Sequence, residues 1–145
     1  MKKINDSRIY GFSALAFFTV AVFFCGISLY SRLSVEPRVE KLIASPEGVS
    51  MNYKKAYLHL REPQLFGGYE FFDADGFTVR NSIQHFDKKI YGGGDLSVED
   101  KRYLDVLLDR RKKGSMLGLK TSAFFILLSL AGFSLYFFER RVVGK

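Results

Sequence analysis

The sequence is poor in the residues that usually carry chemistry. It has one cysteine, Cys25, in 145 residues, and two histidines, His59 and His85. A single cysteine excludes an internal disulfide framework. Cys25 sits in the middle of an uncharged apolar run, where a reactive thiolate is disfavoured. No serine stands in a G-x-S-x-G context. Gly92-Gly93-Gly94 lacks the Lys-Ser/Thr that completes a phosphate-binding loop, and no G-x-G-x-x-G occurs. Aligning Gly76 of Asp73-Ala74-Asp75-Gly76 with the sixth position of a calcium loop puts Phe71 first and Ser82 twelfth, and neither can ligate as required. His85 and Asp87 share one face of an extended reading, but nothing fixes them beside His59, so no zinc site is assigned. The sequence calls for no cofactor and no metal, and gives no catalytic residue.

Charge is also missing, in two long stretches. None occurs among the 23 residues from Ile9 to Ser31, nor among the 18 from Thr121 to Phe138. A helix rises about 1.5 Å per residue and a bilayer core is about 30 Å thick, so about 20 apolar residues span it. The first stretch meets that length, with Tyr10 and Tyr30 at its ends, where aromatic rings prefer the interface. The second meets it when extended to Gly114, with Lys120 snorkelling towards the headgroups. A cleaved leader is the competing reading for the first stretch. Its apolar run exceeds a typical signal core and no small-residue cleavage pattern follows. A buried core helix is the competing reading for the second, and the flanking arginines oppose it.

The net charge of +7 follows the same pattern. Residues 32–109 carry 11 basic and 13 acidic side chains, so the positive excess lies in the tails, at Lys120 and in Arg110-Arg111-Lys112-Lys113. A nucleic-acid binder would show a basic stripe on its folded domain. Basic residues beside apolar segments are membrane anchors instead, and Arg110, Arg111, Lys112 and Lys113 are the expected anionic-lipid contacts.

The expected organisation is a basic tail (1–8), a first transmembrane helix (9–31), an extramembrane domain (32–113), a second transmembrane helix (114–138) and a basic tail (139–145). Each span has a small-residue face, Gly11, Ala14, Ala21, Cys25 and Ser28 on the first, and Gly114, Gly118, Ser122, Ser129 and Gly132 on the second. Small residues let backbones approach closely in lipid, so an antiparallel hairpin packed through these faces is expected.

The domain reads as α+β. Pro37 marks the start of a short helix ended by Pro46-Glu47-Gly48. Alternation at Val49, Met51 and Tyr53 and the run Tyr57–Arg61 read as strands. Residues 69–80 read as a β-hairpin around Asp73–Gly76, and 82–86 as a further strand. Gly92–Gly94 reads as a flexible break. Ser97 is a helix cap, with the stripe Tyr103, Leu104, Val106 and Leu107 behind it and only Gly114 to interrupt that helix before the second span.

The function expected from this pattern is a non-catalytic interaction, accessory or inhibitory subunit for a larger membrane partner, or one that self-associates. Tyr69, Phe71, Phe72, Phe77 and Tyr91 are its candidate contact residues. A ligand- or lipid-sensing module is the second reading, and an enzyme using His59 or His85 the third. Lys2, Lys3 and Arg8 favour cytoplasmic termini and an extracytoplasmic domain in a bacterial inner (plasma) membrane.

Overall fold

A computed structural model describes residues 6–66 and 79–143. Among these residues every regular element is helical. The elements are α1 (Asp6–Tyr30), a π-helical turn (Ser31–Val35), α2 (Glu36–Ala44), α3 (Val49–Leu60), α4 (Val79–Tyr91), a 3₁₀ turn (Val98–Asp100) and α5 (Lys101–Val143). The α+β expectation is therefore overturned, because the described residues contain no strand.

The reason is visible in the burial pattern. Val49, Met51 and Tyr53 alternate over a window too short to separate a period of 2 from one of 3.6. Over the whole of α3 the buried residues are Tyr53, Ala56, Tyr57 and Leu60, which is helical spacing. Met51, which the strand reading puts in phase with Tyr53, is exposed while Tyr53 is buried. The expected strand 82–86 lies inside α4, whose buried residues Val79, Ser82 and Phe86 again share a helical face. The hairpin falls on residues 69–80. Its first ten lie outside the described residues, and Val79 and Arg80 open α4.

α1, the π turn and α2 follow one another without a break in helical backbone, since Tyr30, Val35 and Glu36 all keep right-handed dihedrals. Pro37 accounts for the irregularity. It has no N–H for the Leu33 carbonyl, and its ring crowds that carbonyl, so an α-helical ladder cannot pass through it unchanged. The turn before it widens, and the Glu36 N–H bonds the Ser31 carbonyl. Gly48, left-handed at φ 63°, then lets the chain turn from α2 into α3.

Gly92–Gly94 is a helix stop rather than a flexible break. Gly93 is left-handed (φ 71°), Gly94 N–H bonds the Lys89 carbonyl at 2.8 Å, and Gly93 N–H bonds that of Ile90 at 3.3 Å. These two bonds form the Schellman arrangement that satisfies the last carbonyls of α4. Ser97 then caps the next helical segment. Its side chain and that of Asp100 bond each other's backbone N–H groups reciprocally.

The chain forms two compact units, Met1–Gly26 with Gly118–Lys145, and Ile27–Leu117. In the first, α1 and α5 run antiparallel. Ser129 Oγ donates to the Ala14 carbonyl (2.9 Å) and Ser122 Oγ to that of Ala21 (2.8 Å). Phe125 packs on Phe17 and Phe24. The second unit encloses an apolar core of Val35, Val39 and Ile43 from the π turn and α2, Tyr53, Tyr57 and Leu60 from α3, Phe86 from α4, and Leu104, Leu107 and Leu108 from α5. Each large side chain so buried stabilises the unit by about 1.5–3 kcal/mol before entropy is counted.

Gly114 shows how closely this second unit is assembled. A Cβ placed there would lie 2.5 Å from the Leu65 carbonyl oxygen, a backbone atom that cannot swing away. Gly114→Ala is expected to lower the unfolding free energy by about 1–3 kcal/mol, as overpacking does. Thermal denaturation of the purified protein checks this, and an unchanged midpoint would rule out the close approach.

Candidate functional site

One polar cluster of the second unit surrounds Arg111, whose exposure is 0%. Its position on α5 aims it at the end of α3, where helical carbonyls run out of donors. Arg111 Nη1 donates to the carbonyls of Leu60 (3.4 Å) and Glu62 (2.9 Å), and Nη2 to that of Pro63 (3.2 Å). Nε donates to Ser31 Oγ at 2.9 Å. Ser31 Oγ in turn donates to Glu36 Oε1 (3.3 Å), and Ser115 Oγ lies 2.7 Å from the same oxygen. The guanidinium is thus held by neutral acceptors, and its compensating carboxylate, Glu36, stands one hydroxyl away. Burial pulls the Arg111 guanidinium below its usual value, against the opposing pull of Glu62 and Glu36.

A second cluster surrounds Asp100, 2% exposed at the start of α5. Lys89 Nζ donates to both carboxylate oxygens at 2.9 Å, the Ser97 N–H reaches Oδ2 at 2.8 Å, and His85 Nε2 lies 2.6 Å from Oδ1. His85 also stacks on Tyr103, with ring centroids 3.9 Å apart. Burial raises the Asp100 carboxyl, but the Ser97 N–H, Lys89 and His85 outweigh it, and the net shift is downward. The other histidine, His59, bonds Glu62 Oε1 through Nδ1 at 2.7 Å, and Tyr30 donates to Oε2 at 2.7 Å. Those two bonds hold the Glu62 carboxyl below the usual carboxylate range. Tyr57 donates to Asp87 at 2.5 Å, and burial together with that bond pushes its phenol well up.

A cavity of about 260 Å³ lies beside the Arg111 cage. It is lined by Leu60, Val79, Ile83 and Leu107 and by the polar Arg61, Glu62 and Gln64. Among the described residues the buried Gln64 Oε1 has no hydrogen-bond partner.

The structure distributes the residues singled out from the sequence as follows. On the small-residue faces, Ala14, Ala21, Ser122 and Ser129 meet as described, and Gly132 comes against Ala14, where an added Cβ would stand 2.9 Å from the Ala14 Cβ. Gly11 lies against the Tyr136 ring. Gly118 is buried and Cys25 half-buried. Ser28 belongs to the second unit and is buried, its Oγ without a partner among the described residues. Gly114 meets Leu65 rather than the other long helix.

Of the four expected lipid contacts, Arg110 and Arg111 are buried, which turns half of that cluster inward. Lys112 pairs with Glu40, and Lys113 with Asp109 at 2.6 Å. Among the expected partner contacts, Tyr91 is 88% exposed, and Tyr69, Phe71, Phe72 and Phe77 lie outside the described residues. His59 and His85 stand in separate clusters, each with its own carboxylate.

Reading the sequence missed the role of Arg111, because a run of four basic residues next to an apolar segment looks uniform. The signal available was helical phase, since Leu104, Leu107, Leu108 and Arg111 share the buried face of α5. No known protein family, curated protein sequence or solved structure matches the chain.

Removing one member of a buried ionic network costs about 3–5 kcal/mol, because its partner stays buried and uncompensated. Arg111→Met is expected to destabilise the protein by that amount, and adding Glu36→Gln to restore part of it. A double-mutant cycle read by thermal denaturation checks the coupling, and strictly additive effects would disprove it. For Asp100, a lowered folded-state pKa means that its stabilisation is present above about pH 4 and fades as pH falls through the folded value. Asp100→Asn should lower the midpoint at neutral pH and flatten the acid limb of a stability–pH profile. An acid limb identical to wild type would refute that role.

Proposed function

We propose that this chain is a two-span integral membrane protein, and that its helical unit between the spans is a non-catalytic docking module for a larger membrane partner. One observation carries the membrane half. Helical segments Ser7–Ala44 and Val98–Val142 are each long and apolar enough to cross a membrane, and only 17% and 11% of their most apolar windows is buried. A core helix of a water-soluble protein hides its apolar surface, whereas here Phe12, Phe23, Phe124, Leu127, Phe137 and Phe138 face outward. The hydroxyl-to-carbonyl bonds of Ser122 and Ser129 are the kind that associate helices in lipid, at about 0.6–2 kcal/mol each.

The docking half is supported by where the polar groups go. Arg111, His59, His85 and Asp100 are committed to neighbours within the unit and bind its helices together. Meanwhile Met51 and Leu58, on one face of α3, and Tyr91, at the end of α4, offer apolar surface outward. The cavity beside Gln64 favours a second reading, a module that senses a small ligand. The basic N-terminal residues favour cytoplasmic termini, with the unit on the opposite side of a bacterial plasma membrane.

The test is isolation from native membranes. The protein should resist an alkaline wash, need detergent for extraction and copurify with a stoichiometric membrane protein. Leu58→Glu should lose that companion while keeping its fold, and a reporter fused after Lys145 should read as cytoplasmic. Recovery in the aqueous fraction would reject the spans. Recovery alone, with a small molecule retained, would replace docking by sensing.

A further inference from the structure

We propose that Leu29, Arg32, Leu33, Met116 and Leu117 form a collar that sits at the boundary between lipid headgroups and acyl chains. On this assignment the bilayer ends at the level of Leu33 and Met116, and not at the last uncharged residue, Ser31. The inference rests on the two-span reading above and adds the lipid-facing surface of the second unit.

The outward faces of both helices change character at one level. On the rod that carries the π turn, Ser28, Ser31, Val35, Glu36 and Val39 face inward and are buried. Leu29 and Leu33 face outward, and Leu33 is 74% exposed. One turn further on, the exposed side chains are charged, at Arg38, Glu40 and Lys41. On α5 the order reverses along the chain. Asp109, Lys112 and Lys113 are exposed and charged, and Met116 and Leu117 are exposed and apolar.

Arg32 fixes the two changes at the same height. Its Nη1 lies 3.7 Å from Met116 Sδ, so the side chain bridges from one rod to the other across the collar. A long apolar stem against a thioether, with an exposed cationic head, is the snorkelling posture expected at a headgroup. Lys112 and Lys113 stand on the headgroup side of Met116, each paired with an acid, Glu40 and Asp109, so the level beyond the collar is charged in both signs. Along the first rod no charge occurs from Leu29 back to Ile9, and on α5 Lys120 is the one charge between Leu117 and Glu139, close enough to the boundary to snorkel to it. These features select lipid as the occupant. A protein docked on Leu33 would have to share this level with the chains that cover Leu29.

The chain contains no tryptophan, so a single introduced tryptophan reports one site without removing any other residue. Leu33→Trp, Leu127→Trp and Leu58→Trp place the probe in the collar, on a span and on α3. Each full-length variant is reconstituted in phosphatidylcholine vesicles with bromines either near the carbonyl end or near the methyl end of the acyl chains. Leu127→Trp should lose fluorescence most to bromines near the methyl end. Leu33→Trp should lose it most to bromines near the carbonyl end, and Leu58→Trp should lose none. If Leu33→Trp behaves like Leu58→Trp while Leu127→Trp is quenched, the collar is rejected and the spans stand. If Leu33→Trp is quenched best from the methyl end, the boundary is misplaced and the proposal fails. If Leu127→Trp is not quenched either, the two-span reading fails and takes the collar with it.

Discussion

A buried guanidinium organises the unit between the long helices. Desolvating a cation is costly unless every donor finds an acceptor. Arg111 finds four acceptors, the Ser31 hydroxyl and three carbonyls at and just past the end of α3. Those carbonyls need donors for their own reasons, because a helix C-terminus leaves them unpaired. One side chain therefore satisfies the end of α3, the π turn and its own charge together. Gly114, three residues further along, lets the same loop lie against α5 backbone to backbone. The position that needs a long cation and the position that tolerates no side chain are adjacent turns of one helix.

The π turn belongs to the same constraint. Pro37 forbids a regular ladder, and the widened turn presents Ser31 between Arg111 and Glu36. The irregularity in the backbone and the hydroxyl that couples the two charges occupy the same five residues. Wide turns of this kind often mark places where a helix does something besides span distance. Here the turn gives a buried acid and a buried base a neutral go-between.

How much of this could be read beforehand depends on the range of the interaction. The long helices were legible, because missing charge over about 20 residues is a property of the segment itself. The Ser97 cap was legible for the same reason, since a cap involves only its own first turn. The strands expected at 49–53, 57–61 and 82–86 were misread. Their apolar residues fit two periods over so few positions, and packing against α2 and α5 decided between them. The glycine triplet, expected to be a flexible break, serves as a helix stop, because its two bonds reach back to carbonyls of a helix that the strand reading does not contain.

The sequence alone determined where apolar and charged residues concentrate along the chain, and so which segments are able to cross a membrane. It did so because hydropathy and helix length add up residue by residue. Tertiary structure alone decided which of four consecutive basic residues turn inward, and that Arg111 of the two becomes the fully enclosed one. Arg111 is held there by acceptors 48 to 80 positions away. No local pattern encodes a partner at that separation, since it exists only once α3 and the π turn are packed against α5.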